Sequence, residues 1–349
     1  MLRLAARAAS ALALALVSTL ALTTTPALAD PPQPAATDIV GVGTAITEQL
    51  FNQLSTDYNA FLTAAGNTTS PRLYSWDTTG TTYITPKTGA TSIYRPNTSN
   101  AGITALTITT SGTVDFARST RGPQVGDVSS TVFVAMAKDA VSWAAPTGGH
   151  APGSLTTGQL ADIYACNVTN WRQIDPALPD ATIKPVLPII SSEVRQMFLR
   201  SVGLTGLPGV GNCVVSGVEE NQGTEAFLHD PDVLVPYSVG RYVGQVYGGH
   251  ARPSDEPGVL VPRAVNGIAP VDTSNRQISQ PFAATAFSRV LYNAVREAEW
   301  TASDAHGQAL RDIFGRSGWI CRTNGGAPLI RSYGFLTIPA GACGSTTHI

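Results

Sequence analysis

From Thr182 to Leu199 the chain reads TIKPVLPIISSEVRQMFL, an apolar run interrupted by two serines and resumed by Val194, Phe198 and Val202 at four-residue spacing, with Met197 adding the i+3 position. That change of period predicts a strand, a sharp turn and a helix with Ser192 at its N-cap. The same device recurs along the chain. Asp38–Gly43 predicts a short buried strand, followed by a helix whose apolar face is Ile46, Leu50, Phe51, Leu54, Tyr58, Phe61 and Leu62, with Thr44 placed to cap it. Arg72–Asp77 predicts a second strand, and Tyr94–Gly102 is a polar loop leading into a short helix from Ile103. A third strand, Thr113–Ala117, ends in Arg118-Ser119-Thr120-Arg121. Thr131–Trp143 predicts a long apolar strand that crosses into a second lobe, and Leu155–Ala165 a helix. Asn212–Val218, Val233–Val239 and Tyr242–Tyr247 continue that lobe. Residues 249 to 280 read as loop and connecting strand, Phe282–Arg296 as the strand and helix of re-entry, and Gln308–Phe314 as a last helix before a glycine-rich tail.

Strands alternating with helices, each hydroxyl-rich turn following a strand, predict an α/β fold of open sheets with ligands at the strand carboxyl ends. A helix N-terminus there points free NH groups and a positive dipole end at whatever lies in front, which suits an oxyanion. Each such turn taken singly is more often a plain capped turn than a site.

Residues 1–29 carry Arg3 and Arg7, an apolar run from Ala11 to Leu22 and the small-residue site Ala27-Leu28-Ala29, the pattern of a secretory signal peptide. The remaining roughly 320 residues exceed one ordinary core, so two lobes are expected. The expected division is a leader over 30–37, the first part of lobe I over 38–130, lobe II over 131–248, and a return to lobe I with a C-terminal tail over 249–349. No cysteine precedes Cys166, so no lipid-attachment site lies near the cleavage point, and no later apolar run reaches the roughly 18 residues of a membrane span. The expected product is secreted or periplasmic and monomeric.

Cys166, Cys213, Cys321 and Cys343 all lie in the exported part, where an even count predicts two disulfides. Three connectivities are possible; sequence neighbours sharing a lobe favours Cys166 with Cys213 and Cys321 with Cys343. Removing Arg3 and Arg7 takes the formal charge from −2 to −4, and no basic block remains to neutralise a nucleic acid backbone or an anionic membrane. Charged residues are scarce at 13%, yet 43% of the chain is hydrophobic, which fits a loop-rich globular protein more than a disordered chain. No histidine or cysteine spacing suggests a metal, and Gly41-Val42-Gly43 lacks the third glycine of a dinucleotide fingerprint, so no cofactor is expected.

The series DIVGVGTAITEQL, RLYSWDTTG, YRPNTSNAGI, VDFARSTR, FVAMAKDAVSWA, SLTTGQLADIYACNVTNWRQI and LPIISSEVRQMFL resembles, as a set and in order, the phosphate-binding subunit of bacterial ABC transporters, a type 2 periplasmic-binding-protein fold. The resemblance covers about Asp38 to Gly248. It implies two α/β lobes joined by crossover strands, closing on a dehydrated phosphate held by backbone NH groups, hydroxyls, an arginine and one aspartate, and delivery to an ABC permease without catalysis.

Carried over residue by residue, the resemblance puts Thr44, Ala45 and Ile46 in the first binding loop, with Ala45 where the family has a hydroxyl. Ser99 matches a ligand-binding serine, preceded by Thr98 in place of glycine. After Ser119, Thr120 stands where the family presents an acidic residue. The fourth loop, usually Gly-Ser-Gly-Thr often followed by Arg, is here Ser191-Ser192-Glu193-Val194-Arg195. Glu193 is the sharpest departure: two like charges about 4 Å apart repel by roughly 4 kcal/mol at an effective dielectric near 20, about a thousandfold in affinity. Either its carboxylate turns away, or the cleft prefers something other than a phosphate dianion. Arg195, Arg118 and Arg121 are available to offset it. The same fold with a changed ligand or a surface-interaction role is one alternative. A secreted serine hydrolase is another, resting on Tyr237-Ser238-Val239-Gly240, although Pro236 replaces the first glycine of a nucleophile elbow.

Overall fold

The computed structural model describes residues 30–205, 209–253 and 255–347, so the expected signal peptide lies outside the described residues. The first strand, β1 (Ile39–Gly43), is buried at every position and leads into α1 (Glu48–Ala64), which lays Leu50, Phe51, Leu54, Tyr58 and Leu62 on the sheet. Phe61 departs from the expected face: it is 45% exposed, at the rim beside Tyr58 and Trp319. Thr47, not Thr44, holds the N-cap position of α1, which releases the Thr44 hydroxyl for another use. Next come β2 (Leu73–Ser75), the hairpin of β3 (Tyr83–Ile84) and β4 (Ile93–Tyr94), α2 (Ser99–Ile108) and β5 (Phe116–Ser119). Helix α2 starts earlier than the spacing predicts, because the Thr98 side chain accepts the Ala101 NH and caps it.

Strand β6 (Thr131–Pro146) leaves this lobe and runs through the second. There β7 (Ser154–Leu155), α3 (Thr157–Tyr164), β8 (Lys184–Pro188), α4 (Glu193–Ser201), β9 (Val215–Val218), β10 (Val233–Ser238) and α5 (Val239–Tyr247) follow. The chain does not return at residue 249. β11 (Leu260–Pro262) pairs with the far end of β6, and β12 (Ala264–Val265) pairs with β7, so both remain in lobe II. A hairpin of β13 (Val271–Asp272) and β14 (Gln277–Ile278) and the short α6 (Gln280–Ala283) precede the returning strand, β15 (Ser288–Arg296). Re-entry is therefore helix then strand, the reverse of the expected order: Ser279 caps α6 and Pro281 fits its first turn.

A single sheet runs through both lobes in the order β2-β1-β5-β15-β6-β10-β8-β9, parallel within each lobe and antiparallel where β15 and β6 cross. The tail is more than loop. It carries α7 (Glu297–Thr301), α8 (Ala305–Phe314), α9 (Ala327–Ser332), β16 (Leu336–Thr337) and β17 (Thr346–Thr347), the last two paired to β6. Disulfides join Cys166 to Cys213 and Cys321 to Cys343, each within sequence neighbours as the spacing favoured. Among the described residues no helix is long and apolar enough to cross a membrane.

Candidate functional site

The carboxyl ends of β1 and β5 and the turn before α2 form one wall of an interlobe cleft; the turn between β8 and α4 forms the other. Gly43 sits at φ +127°, and a Cβ there would meet the Arg118 carbonyl oxygen at 2.4 Å. A Cβ on Gly102 would meet the Gly43 Cα at 2.7 Å, so two glycines let the first turn of α2 press against β1. Behind this wall the Arg118 guanidinium is fully buried, donating to the carbonyl oxygens of Thr44, Gly43 and Trp76 and to the Ser75 hydroxyl. It forms no direct ion pair among the described residues, and burial lowers its pKa from the ordinary arginine value while Glu48, Asp77 and Glu193 counteract that.

Glu193 does not turn away. It is 9% exposed, reaches from the start of α4 into lobe I, accepts the Ser99 backbone NH at 2.9 Å through Oε1, and accepts the Thr44 hydroxyl through Oε2. The α2 N-terminus, where an oxyanion is expected, thus holds a carboxylate of the chain itself. Its backbone is also fixed. Arg289 Nη1 donates to the Glu193 carbonyl at 3.1 Å, and Arg289 Nη2 meets Asp139 Oδ2 at 3.1 Å, an ion pair that ties β15 to β6 in the crossover. The facing helix is filled in the same way: Glu220 accepts the Ser192 hydroxyl at 2.5 Å and the Val194 NH at 3.2 Å. Burial and the neighbouring Glu193 push the Glu220 carboxyl above its ordinary value. Asp139 completes the pattern at α5, accepting the Ser238 hydroxyl at 2.9 Å and the Gly240 NH at 3.1 Å.

The other residues singled out by resemblance divide into two sets. Ser99 and Ser192 cap or open their helices on opposite walls, Ser99 Oγ accepting the Thr120 NH at 2.8 Å. Thr98, Ser191 and Glu193 line cavities on both sides of the cleft, and Ala45 lines one of them. Ile46 is buried in the core, and its NH donates to the Thr44 hydroxyl at 3.2 Å. Val194 packs its side chain fully in the core. Ser119 turns onto Arg121, and Arg195 onto the Pro188 carbonyl and the Ser216 hydroxyl, so neither is directed at Glu193. Arg121 is held by Asp127. Glu220, Asp139, Arg289 and Asp77 were not singled out from sequence, although Lys138-Asp139 inside an apolar strand and Glu219-Glu220 directly after one were visible signals.

Glu193 divides the cleft. On one side a cavity of about 680 Å³ includes Arg121, Arg200, Arg289 and Tyr292. On the other, a cavity of about 480 Å³ is acidic, with Glu48, Asp77, Glu219, Glu220 and Asp255 against Arg241 and Arg252. Burial, then Glu48, raises the Asp77 carboxyl to about 6. A second interlobe contact closes this end: Gln49 of α1 donates to Asp255, which is paired with Arg241 of α5. Ser238 is fully buried, caps α5 and donates to Asp139, so its oxygen is not presented to a substrate. Asp115, Glu299 and His306 have metal-ligand types, but the Lys87 ammonium lies 2.7 Å from Asp115, and hydrogen bonds to Asp115 and Glu299 raise His306 to about 9. At neutral pH that cluster is an ion-pair network.

The family model for the PBP superfamily domain matches residues 33–239. Among curated proteins none matches the chain. Among solved structures, an ABC-type phosphate transport receptor from Vibrio cholerae is 17% identical over 86% of this chain and 100% of its own, with a TM-score of 0.58. PstS from Borrelia burgdorferi is 15% identical over 86% and 98%, with a TM-score of 0.51. A phosphate-binding protein from Stenotrophomonas maltophilia is 14% identical over 87% and 91%, with a TM-score of 0.50. At such identities the likeness is one of fold.

Proposed function

The chain belongs to the PBP superfamily, and from that premise we propose that it is an exported, non-catalytic binding protein that takes a small oxyanion between its lobes, phosphate being the first candidate. One observation carries the reading. The Ser99 NH at the α2 N-terminus and the Thr44 hydroxyl already hold an oxyanion, the carboxylate of Glu193, with the buried Arg118 charge behind that wall. The solved relatives named for phosphate support the choice of first ligand. Delivery to an ABC permease belongs to the same reading.

A free phosphate must displace Glu193 to enter. It would also meet Glu220 and Asp77 nearby, so affinity is expected to be modest. The test is a melting screen against phosphate, sulfate, arsenate, sugars, amino acids and polyamines, since a ligand at 100 times its Kd adds about 2.7 kcal/mol to the native state. Phosphate or another oxyanion should raise the midpoint most. A second reading, a cationic solute in the acidic cavity, is favoured by Asp77, which is 6% exposed and lines that cavity together with Glu48, Glu219 and Glu220. Stabilisation by polyamines alone would replace the oxyanion reading with that one.

A further inference from the structure

We propose that Glu193 is a tethered ligand: its carboxylate occupies the oxyanion seat of lobe I, holds the lobes closed without solute, and sets which free anion enters. The proposal rests on the reading of the cleft as an oxyanion seat. Its warrant is geometric. Glu193 is the first residue of α4 in lobe II, yet both carboxylate oxygens are bonded in lobe I, to the Ser99 NH and the Thr44 hydroxyl. A carboxylate that bridges two lobes makes the contacts expected of a bound oxyanion, and its covalent attachment fixes it on one wall.

Three further features show a built arrangement. Arg289 grips the Glu193 carbonyl and is itself held by Asp139, so the side chain departs from a position fixed at the crossover. The donors of the opposite wall are not waiting for a ligand, because Glu220 accepts both the Ser192 hydroxyl and the Val194 NH. The Gln49–Asp255 contact, with Arg241 behind it, closes the far end of the cleft without any solute. Charge is balanced accordingly: the two helix N-termini face Glu193 and Glu220, with Arg118 buried behind the lobe I wall, and a dianion would add to existing negative charge.

A tether changes the competition. A group joined by a short flexible linker acts at an effective concentration on the order of millimolar, so a free oxyanion must out-compete its own site's resident. Glu193→Ala removes the resident, and Glu193→Asp keeps the charge while shortening its reach by one methylene. The two variants separate loss of reach from loss of charge.

The experiment is small-angle scattering and phosphate calorimetry on the parent, Glu193→Ala and Glu193→Asp. The parent should be compact with and without inorganic phosphate. Both variants should have a larger radius of gyration without phosphate and contract on adding it. The alanine variant should bind phosphate at least about tenfold more tightly than the parent. A parent that is expanded until phosphate is added, or an alanine variant as compact as the parent, overturns the tether. Variants that open but respond to no oxyanion leave the tether standing and remove the oxyanion reading. A parent that closes on micromolar phosphate does the reverse.

Discussion

At the scale of single residues, the cleft is organised by carboxylates that end on helix N-termini. Glu193 serves α2, Glu220 serves α4 and Asp139 serves α5, each taking backbone or hydroxyl donors at the start of its helix. Asp77 is the exception: its buried carboxylate has one side-chain donor, Asn52, and no ion pair among the described residues, Arg95 reaching only its backbone carbonyl. Its carboxyl is raised from 3.8 to about 6, so the folded protein binds more protons than the unfolded chain across that window. Stability therefore falls as pH rises from about 4 to about 6, and the deficit persists above it. Asp77→Asn should raise the melting midpoint above pH 6 and change it little below pH 4; an equal shift at both ends would remove the assigned cause. Sequence revealed that Glu193 was foreign to a phosphate loop, because like-charge repulsion is legible from residue type. It did not reveal that the carboxylate itself fills the seat, since this depends on a reach across two lobes from α4 to Ser99. Val194 reads two ways, its four-residue spacing with Phe198 and Val202 marking an apolar helix face and the resemblance marking a ligand position. Its position matches a family threonine, but the helix turns its side chain into the core.

At the scale of elements, spacing located strands and helices better than their ends. Helix α2 shows why: Asn97-Thr98-Ser99-Asn100 reads as polar loop, whereas Thr98 caps a helix that begins at Ser99. Moving that start by one turn is what puts the Ser99 NH on the cleft. Gly102→Ala tests the packing behind it. With only 2.7 Å between the added Cβ and the Gly43 Cα, and backbone on one side of the contact, α2 must shift. The expected cost is about 1 to 3 kcal/mol, as for other overpacked sites, together with faster hydrogen exchange at the Ser99 amide. Unchanged exchange there would mean that α2 is not held by this contact. In the tail, α8 carries His306 to within 3.2 Å of Asp115 and 3.8 Å of Glu299. Its pKa is raised from 6.5 to about 9, so this contribution is complete below pH 6.5 and lost as pH rises through about 9. His306→Gln should lower the melting midpoint at neutral pH and converge with the parent above pH 9. A deficit of the same size at both pH values would point to packing instead.

At the scale of the whole molecule, two long strands set the architecture. β6 and β15 pair antiparallel through the crossover, and each lobe adds parallel strands to one side of them. A continuous apolar run announced the long strand at Thr131, but not that β11 and β12 stay with lobe II, because their partners lie more than a hundred residues earlier. The same long-range pairing places Asp139 and Arg289, from the two crossover strands, beneath Glu193. Lobe closure is thus attached to the elements on which the lobes would rotate. The most direct measurement is a crystal structure of the protein grown without any oxyanion. Closed lobes are expected, with a Glu193 carboxylate oxygen within hydrogen-bond distance of the Ser99 amide and the Thr44 hydroxyl beside it. Parted lobes with Glu193 in solvent, or closed lobes with water at the α2 N-terminus, would contradict the tether.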